Sequence, residues 1–119
     1  MRKTALVAAV LALAFAGTAV AGVPPIPRVP GEWSHVEINL KIRKTPHTLI
    51  LDRGRIVQAS ATSLTLRELG STVVVPLSPT TLVVIDGLPA TPGDLRRKMK
   101  VVTMRIDGGA AVRVRASSF

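Results

Sequence analysis

The chain has 119 residues, and its 16 Lys and Arg outnumber its 7 Asp and Glu, which gives a formal net charge of +9 at pH 7. It contains no cysteine, which excludes disulfides, haem–thiolate ligation and cysteine-type zinc sites. This length allows one small domain at most once a leader is removed.

The N-terminus has the pattern of a secretory signal peptide. Arg2 and Lys3 precede an uncharged apolar run at residues 5–16, and Ala19 and Ala21 are the small residues that a signal peptidase reads. We therefore expect cleavage after Ala21 and a secreted, periplasmic or cell-envelope protein of a bacterium. A retained membrane anchor is the alternative, but the alanines that fill much of this run favour membrane insertion far less than leucine does.

Composition divides the rest of the chain into a linker and a domain. Losing Arg2 and Lys3 from the 16 basic residues leaves 14 against 7 acidic ones, so the mature chain carries a formal charge of +7. Residues 22–32 contain four prolines, which favours an extended, solvated linker or, alternatively, a segment that docks on a partner. Residues 33–119 form the predicted domain.

The first predicted element is a hairpin with one buried face. Apolar residues alternate with polar ones at a period of two, which is typical of a half-buried strand. The alternating positions are Val36, Ile38, Leu40 and Ile42. Leu49 and Leu51 resume the pattern, and pairing them with Ile42 and Leu40 across a four-residue turn keeps one face apolar. The alternation slips at Gly54, which predicts a bulge or a sharp bend.

A second hairpin and a further strand follow along the chain. A two-residue loop at Leu69-Gly70 pairs Leu66 with Val73 and Leu64 with Val75, so that both pairs share a face. Residues 81–85 form another strand, closed by Asp86-Gly87.

The last hairpin has two possible loops. A two-residue loop would bury Arg113 opposite Val102, at a high cost in free energy. A three-residue loop at residues 107–109 instead pairs Met104 with Val112 and Val102 with Val114, and we expect this arrangement.

One short helix is predicted between the strands. Thr91 is placed to cap it, Pro92 occupies its first position and Asp94 its third, and it runs for about two turns or fewer. Six or seven short strands and this helix predict an all-β fold, a small antiparallel barrel or roll that is closed or partly open.

Several short motifs occupy the turns and the predicted core. They are GRIV at 54–57, SLTL at 63–66, TLVVIDGLPA at 81–90, DL at 94–95 and GGAAVRV at 108–114. Through them, residues 53–116 resemble a bacterial family of exported small β-barrel domains of unknown function, related in shape to OB-type barrels. Such domains often have a glycine after the short helix, where this chain has Lys98-Met99. The resemblance implies a fold but no known activity.

Catalytic, cofactor and metal sites are not predicted. The chain has two histidines, His35 and His47, no tyrosine, and no nucleophile-elbow sequence around a serine. Asp86 and Asp107 each precede a glycine at a turn, which explains both carboxylates. His35 and Glu37 share one strand face, with His47 across the turn, but zinc needs three or four such ligands and only two histidines are present, so a solvated strand face is the preferred interpretation. The sequence predicts a non-enzymatic protein.

The basic residues near the C-terminus are the remaining functional signal. The candidate polyanion-binding residues are Arg96, Arg97, Lys98, Lys100, Arg105, Arg113 and Arg115. If the helix end and the last hairpin adjoin, they form a patch suited to anionic cell-wall polymers or to lipid headgroups at a membrane surface. The alternative is a surface charge that only keeps the protein soluble.

Two other partners were weighed against this patch. Nucleic acid is disfavoured, because Trp33 and Phe119 are the only aromatic residues of the mature chain and single-strand-binding barrels need several stacking platforms. The other function class is an inhibitor or accessory subunit that docks on a partner protein through Trp33 and neighbouring apolar surface.

Overall fold

The computed structural model describes residues 23–118, so the predicted signal peptide and its cleavage site lie outside the described residues. Within them the chain forms eight strands and one 3₁₀ turn, Pro92–Asp94. The strands are β1 (His35–Ile42), β2 (Thr45–Ala59), β3 (Ser63–Glu68), β4 (Ser71–Pro76), β5 (Leu82–Ile85), β6 (Leu88–Ala90), β7 (Lys100–Ile106) and β8 (Ala111–Ser117). No helix in this part of the chain has the length and apolarity needed to cross a membrane.

All eight strands belong to one sheet in the order β4-β3-β2-β7-β8-β5-β6, with β1 also paired to β2. The long strand β2 pairs with β1 and then β3 along one edge, and with β7 along the other. Only the β5–β8 pair is parallel. The predicted all-β class is confirmed. Among residues 23–118 no ladder joins β4 to β6, so the sheet is not closed into a barrel.

Each face of the sheet has its own apolar core. The inner core draws residues from β2 to β5 and from β7 and β8, so the curled sheet brings its two ends to one core. Its fully buried members include Ile56, Leu64, Leu66, Val75 and Val114. The outer core contains Ile38, Leu49, Leu51 and Met104 together with Ile26 from the N-terminal segment.

The apolar alternation of β2 is predicted to slip at Gly54, and in the structure the strand changes its buried face there. Leu49 and Leu51 belong to the outer core, whereas Ile56 belongs to the inner core. The apolar alternation therefore changes phase without a bulge at the glycine. The irregularity in the β2–β3 register lies further on, between Ile56 and Gln58.

The proline-rich segment packs against the domain, in contrast to the solvated linker that its composition favours. Pro24, Ile26 and Pro27 are buried. Arg113 holds the segment, since its Nε donates to the Pro24 carbonyl oxygen at 2.6 Å and its Nη2 to that of Val23 at 3.0 Å. Prolines have no N–H that burial would leave unpaired, so such a segment can cover an apolar face once its carbonyls find donors.

The β3–β4 hairpin confirms its predicted register, with Leu66 opposite Val73 and Leu64 opposite Val75. The predicted β1–β2 register is wrong.

In the β1–β2 hairpin, Ile38 pairs with Leu49 and Leu40 with His47, around a two-residue turn at Arg43-Lys44. Both turn residues have positive φ, as in the type I′ turn that matches the twist of a hairpin. The observed register differs from the predicted one by four residues, since Leu49 pairs with Ile38 and not with Ile42. Because side chains alternate between faces with a period of two, the same side chains remain on the apolar face.

The predicted register of the last hairpin is also wrong. Met104 pairs with Arg113 and Thr103 with Val114, because the ladder shifts between Met104 and Arg105. The Arg113 guanidinium is not left unpaired, because it donates to the carbonyl oxygens of Pro24 and Val23. These hydrogen bonds offset the free-energy cost of its partial burial.

The predicted helix is a single 3₁₀ turn. The backbone N–H and the hydroxyl of Thr91 both donate to Asp94 Oδ2, at 2.9 and 3.0 Å, which ties off the turn. Leu95 is already extended and buried in the inner core, so the helix cannot continue. Lys98, at the corner that follows, takes the left-handed conformation (φ 75°) that favours glycine.

Candidate anion-binding groove

An open groove of about 800 Å³ crosses β3, β2, β7 and β8. Basic side chains dominate its charged lining. They are Arg53, Arg55, Arg67, Lys100 and Arg115, and we call this surface the basic groove.

Three of these cations stand side by side across neighbouring strands. Arg55 on β2 is opposite Arg67 on β3 and also opposite Lys100 on β7. Directly opposed side chains in a sheet have Cβ atoms about 5 Å apart, and like charges there destabilise the pairing. In the part of the chain that the structure describes, the ion pairs involve only the two histidines, so no carboxylate neutralises this row.

A second row lies one step along the same face. Arg53 and Arg115 flank Val102, which pairs with both. The Arg53 guanidinium lies 4.5 Å from the centre of the Trp33 ring, and its Nε donates to the Trp33 carbonyl oxygen at 2.9 Å. Burial, and to a lesser degree the charge of Arg28, lowers the pKa of Arg115. In this second row, Arg115 is thus partly desolvated, and Arg53 is engaged in contacts with Trp33.

Acidic residues contribute little to this surface. Three acidic residues line it, Glu32, Glu68 and Asp86, against five basic ones. Asp86 accepts hydrogen bonds from the Ser118 hydroxyl at 2.6 Å and from the Ser118 N–H at 3.0 Å, and these bonds lower its pKa. Among the described residues Asp86 forms no ion pair with the cations of the groove. Arg55 Nη1 donates to the Lys98 carbonyl oxygen at 2.9 Å.

The structure places the seven basic residues predicted to bind polyanions in three different environments. Lys100 and Arg115 line the basic groove. Arg113 binds the N-terminal segment, and Arg105 donates to the carbonyl oxygens of residues 108 and 109 within its own hairpin. The remaining three, Arg96, Arg97 and Lys98, are exposed on the loop after the 3₁₀ turn.

The sequence reasoning missed Arg53, Arg55 and Arg67. Their signal was visible, because Arg53 and Arg55 are two apart and therefore share one face of a strand. Their significance depends on the pairing of β2 with both β3 and β7, which only the tertiary structure provides.

Trp33 is used within the fold. Its Nε1 donates to the Val29 carbonyl oxygen at 3.0 Å, and its ring packs against the outer core. The indole therefore joins the N-terminal segment to the wall of the basic groove.

Both histidines contact carboxylates. His35 Nδ1 lies 2.7 Å from Asp52 Oδ1 and its Nε2 lies 3.0 Å from Glu37 Oε2, and these contacts raise its pKa. His47 contacts Asp107 through its Nδ1. Within residues 23–118, no three His, Asp or Glu side chains are arranged to hold a metal ion.

Comparisons with protein-family models, with curated proteins and with solved structures gave no match for this chain. Guanidinium groups donate to phosphate or carboxylate oxygens through two parallel N–H bonds, and an ammonium group adds a point charge. A row of two arginines and one lysine is suited to binding a compact anion.

Proposed function

We propose that this protein is a non-enzymatic, exported domain that binds anionic groups of bacterial envelope polymers or lipid headgroups in the basic groove. The observation that carries the proposal is the position of Arg55 between Arg67 and Lys100. Three adjacent like charges cost stability in the free protein, and a bound anion removes that cost.

The sequence supports the compartment in this proposal. The signal-peptide pattern of residues 1–21 favours export by the general secretory route, where anionic polymers and lipid surfaces are abundant ligands. The resemblance to small OB-like barrel domains implies a fold and no activity, and the curled sheet with its shared inner core is compatible with that shape.

The surroundings of His35 support binding over catalysis. Both of its ring nitrogens contact carboxylates, which raises the pKa of the imidazole and leaves neither nitrogen free to act as a base. Asp52, its main partner, is fully buried and out of reach of a substrate.

The test is binding to soluble inorganic polyphosphate at low and high salt. We expect Arg67→Gln/Lys100→Gln to lose most of the affinity at low salt, because it removes both flanks of the row. Arg96→Gln/Arg97→Gln is the matched control, since it removes the same charge from an exposed loop. Equal loss in both variants would show that net charge alone attracts the anion, and unchanged binding in both would contradict the proposal.

Salt dependence separates this proposal from docking on a partner protein through Trp33. Attraction between exposed charges falls steeply as ionic strength rises, because the Debye length shortens from about 10 Å at 0.1 M to about 3 Å at 1 M salt. Apolar docking persists at high salt. A partner retained at 1 M salt would favour the inhibitor or accessory-subunit alternative.

A further inference from the structure

Leu69 is an exposed leucine at the edge of the basic groove. It occupies the β3–β4 turn with Gly70, is 74% exposed and lines the groove. Turn positions are usually filled by glycine, proline or small polar residues, and this leucine adds nothing to either core. The fold therefore gives no reason for an apolar side chain at this hairpin tip.

The same hairpin also carries a cation of the groove. Leu69 is two residues from Arg67, which stands opposite Arg55, and Arg55 stands opposite Lys100. An exposed apolar tip beside a row of cations is the combination that peripheral proteins use at anionic membranes, where apolar insertion and electrostatic attraction act together.

We propose that the β3–β4 tip and the basic groove form a docking surface for a bilayer that contains anionic phospholipids. Leu69 enters the interfacial region of the bilayer, while Arg67, Arg55 and Lys100 contact the headgroup phosphates. This inference rests on the proposed anion-binding function and selects the lipid surface among its anionic ligands. A soluble polyanion would satisfy the cations but would leave Leu69 in water.

The test compares two ligands for the mature chain. One is soluble polyphosphate, and the other is vesicles of phosphatidylcholine with or without about one third phosphatidylglycerol. Binding is followed by co-sedimentation and by the emission of Trp33, the single tryptophan of the chain, which lies in the groove wall. We expect binding to the anionic vesicles, with a blue shift of Trp33 emission, and little binding to the neutral ones.

Leu69→Asn isolates the apolar contribution. We expect it to weaken binding to anionic vesicles by about tenfold, the order expected for losing the insertion of one leucine side chain. Its binding to polyphosphate should be unchanged, because no charge is altered. Leu88→Asn is the matched control, since Leu88 is 69% exposed in another hairpin but does not line the groove. It should change vesicle binding less than twofold.

The outcomes separate the two proposals. Binding to polyphosphate but not to anionic vesicles would overturn the bilayer inference and leave the anion-binding function standing. Binding to neither ligand would overturn both. Unchanged vesicle binding by Leu69→Asn, or an equal loss by Leu88→Asn, would overturn the bilayer inference alone. Thermal melting of each variant verifies that the fold is retained.

Discussion

Glu68 and Asp52 bring two carboxyl groups together where β1 and β3 meet end to end along β2. Asp52 is fully buried and Glu68 is 8% exposed, and among the described residues neither Asp52 Oδ2 nor Glu68 Oε2 has a hydrogen-bond partner. Burial, followed by the proximity of the Asp52 carboxyl, raises the pKa of Glu68 to about 8. A protonated Glu68 carboxyl can donate to Asp52, which would pair the two oxygens.

This pair predicts that stability falls as pH rises through the neutral range. Glu68 holds its proton up to a pKa of about 8 in the folded protein, against 4.5 as its ordinary value, so between these limits the folded state binds more protons than the unfolded state. The pKa of His35 is raised above 6.5, mainly by its hydrogen bond to Asp52, so its contribution is also lost as pH rises. Melting temperatures measured from pH 5 to pH 9 should therefore decline.

Glu68→Gln should remove most of this decline, because the amide keeps a donor for Asp52 and cannot ionise. Glu37→Gln is the control, since it changes an exposed carboxyl of the same cluster and should leave the slope largely in place. A Glu68→Gln protein with the parent's pH profile would show that the buried pair does not hold the proton.

Gly54→Ala should destabilise the fold by about 1–3 kcal/mol, the usual cost of overpacking. A Cβ at this position would collide with the backbone carbonyl oxygen of Arg67 on β3. Gly93→Ala is the matched control, because its nearest neighbour would be Thr91 Oγ1 at 3.9 Å. Chemical denaturation measures both, and an equal, small effect would mean that β3 can move away from β2.

Leu66→Asp should abolish cooperative unfolding, whereas Thr65→Asp should be tolerated. Leu66 is fully buried between Ile56 and Val73, where an unpaired carboxylate is very costly. Thr65 lies on the opposite face of β3. Circular dichroism melts of the two variants test this assignment, which would be wrong if both were affected alike.

Arg67→Gln/Lys100→Gln should raise stability while it weakens anion binding. Removing two like charges that oppose Arg55 should gain about 0.5–1 kcal/mol in the free energy of unfolding at low salt. The gain should shrink at high salt because of screening. Arg96→Gln/Arg97→Gln controls for net charge, and an equal gain there would show that the row is not strained.

Protein recovered from the periplasm or the medium should begin at Gly22. N-terminal sequencing and intact mass measure this directly. A membrane-bound species that begins at Met1 would instead indicate the retained anchor. The N-terminal segment already contacts Arg113 at Val23, so the fold begins close to the expected cleavage site.

Features that depend on near neighbours in the chain could be predicted from the amino-acid sequence. Alternation of period two predicted the strands, and the short loop at Leu69-Gly70 predicted the register of β3–β4, because both are set by local geometry. The Thr91–Asp94 capping interaction was also readable, although the helix it would start is one turn long.

Contacts between residues far apart in the chain depend instead on how the strands pair in the folded sheet. The pairing of β2 with β7 aligns Arg55 with Lys100. The N-terminal segment packs on the outer core, and its Pro24 carbonyl oxygen accepts a hydrogen bond from Arg113. The meeting of Asp52 with Glu68 likewise depends on β1 and β3 sharing one edge of β2. These contacts arise because the sheet curls to bury apolar surface on both faces, a global requirement that no local pattern encodes.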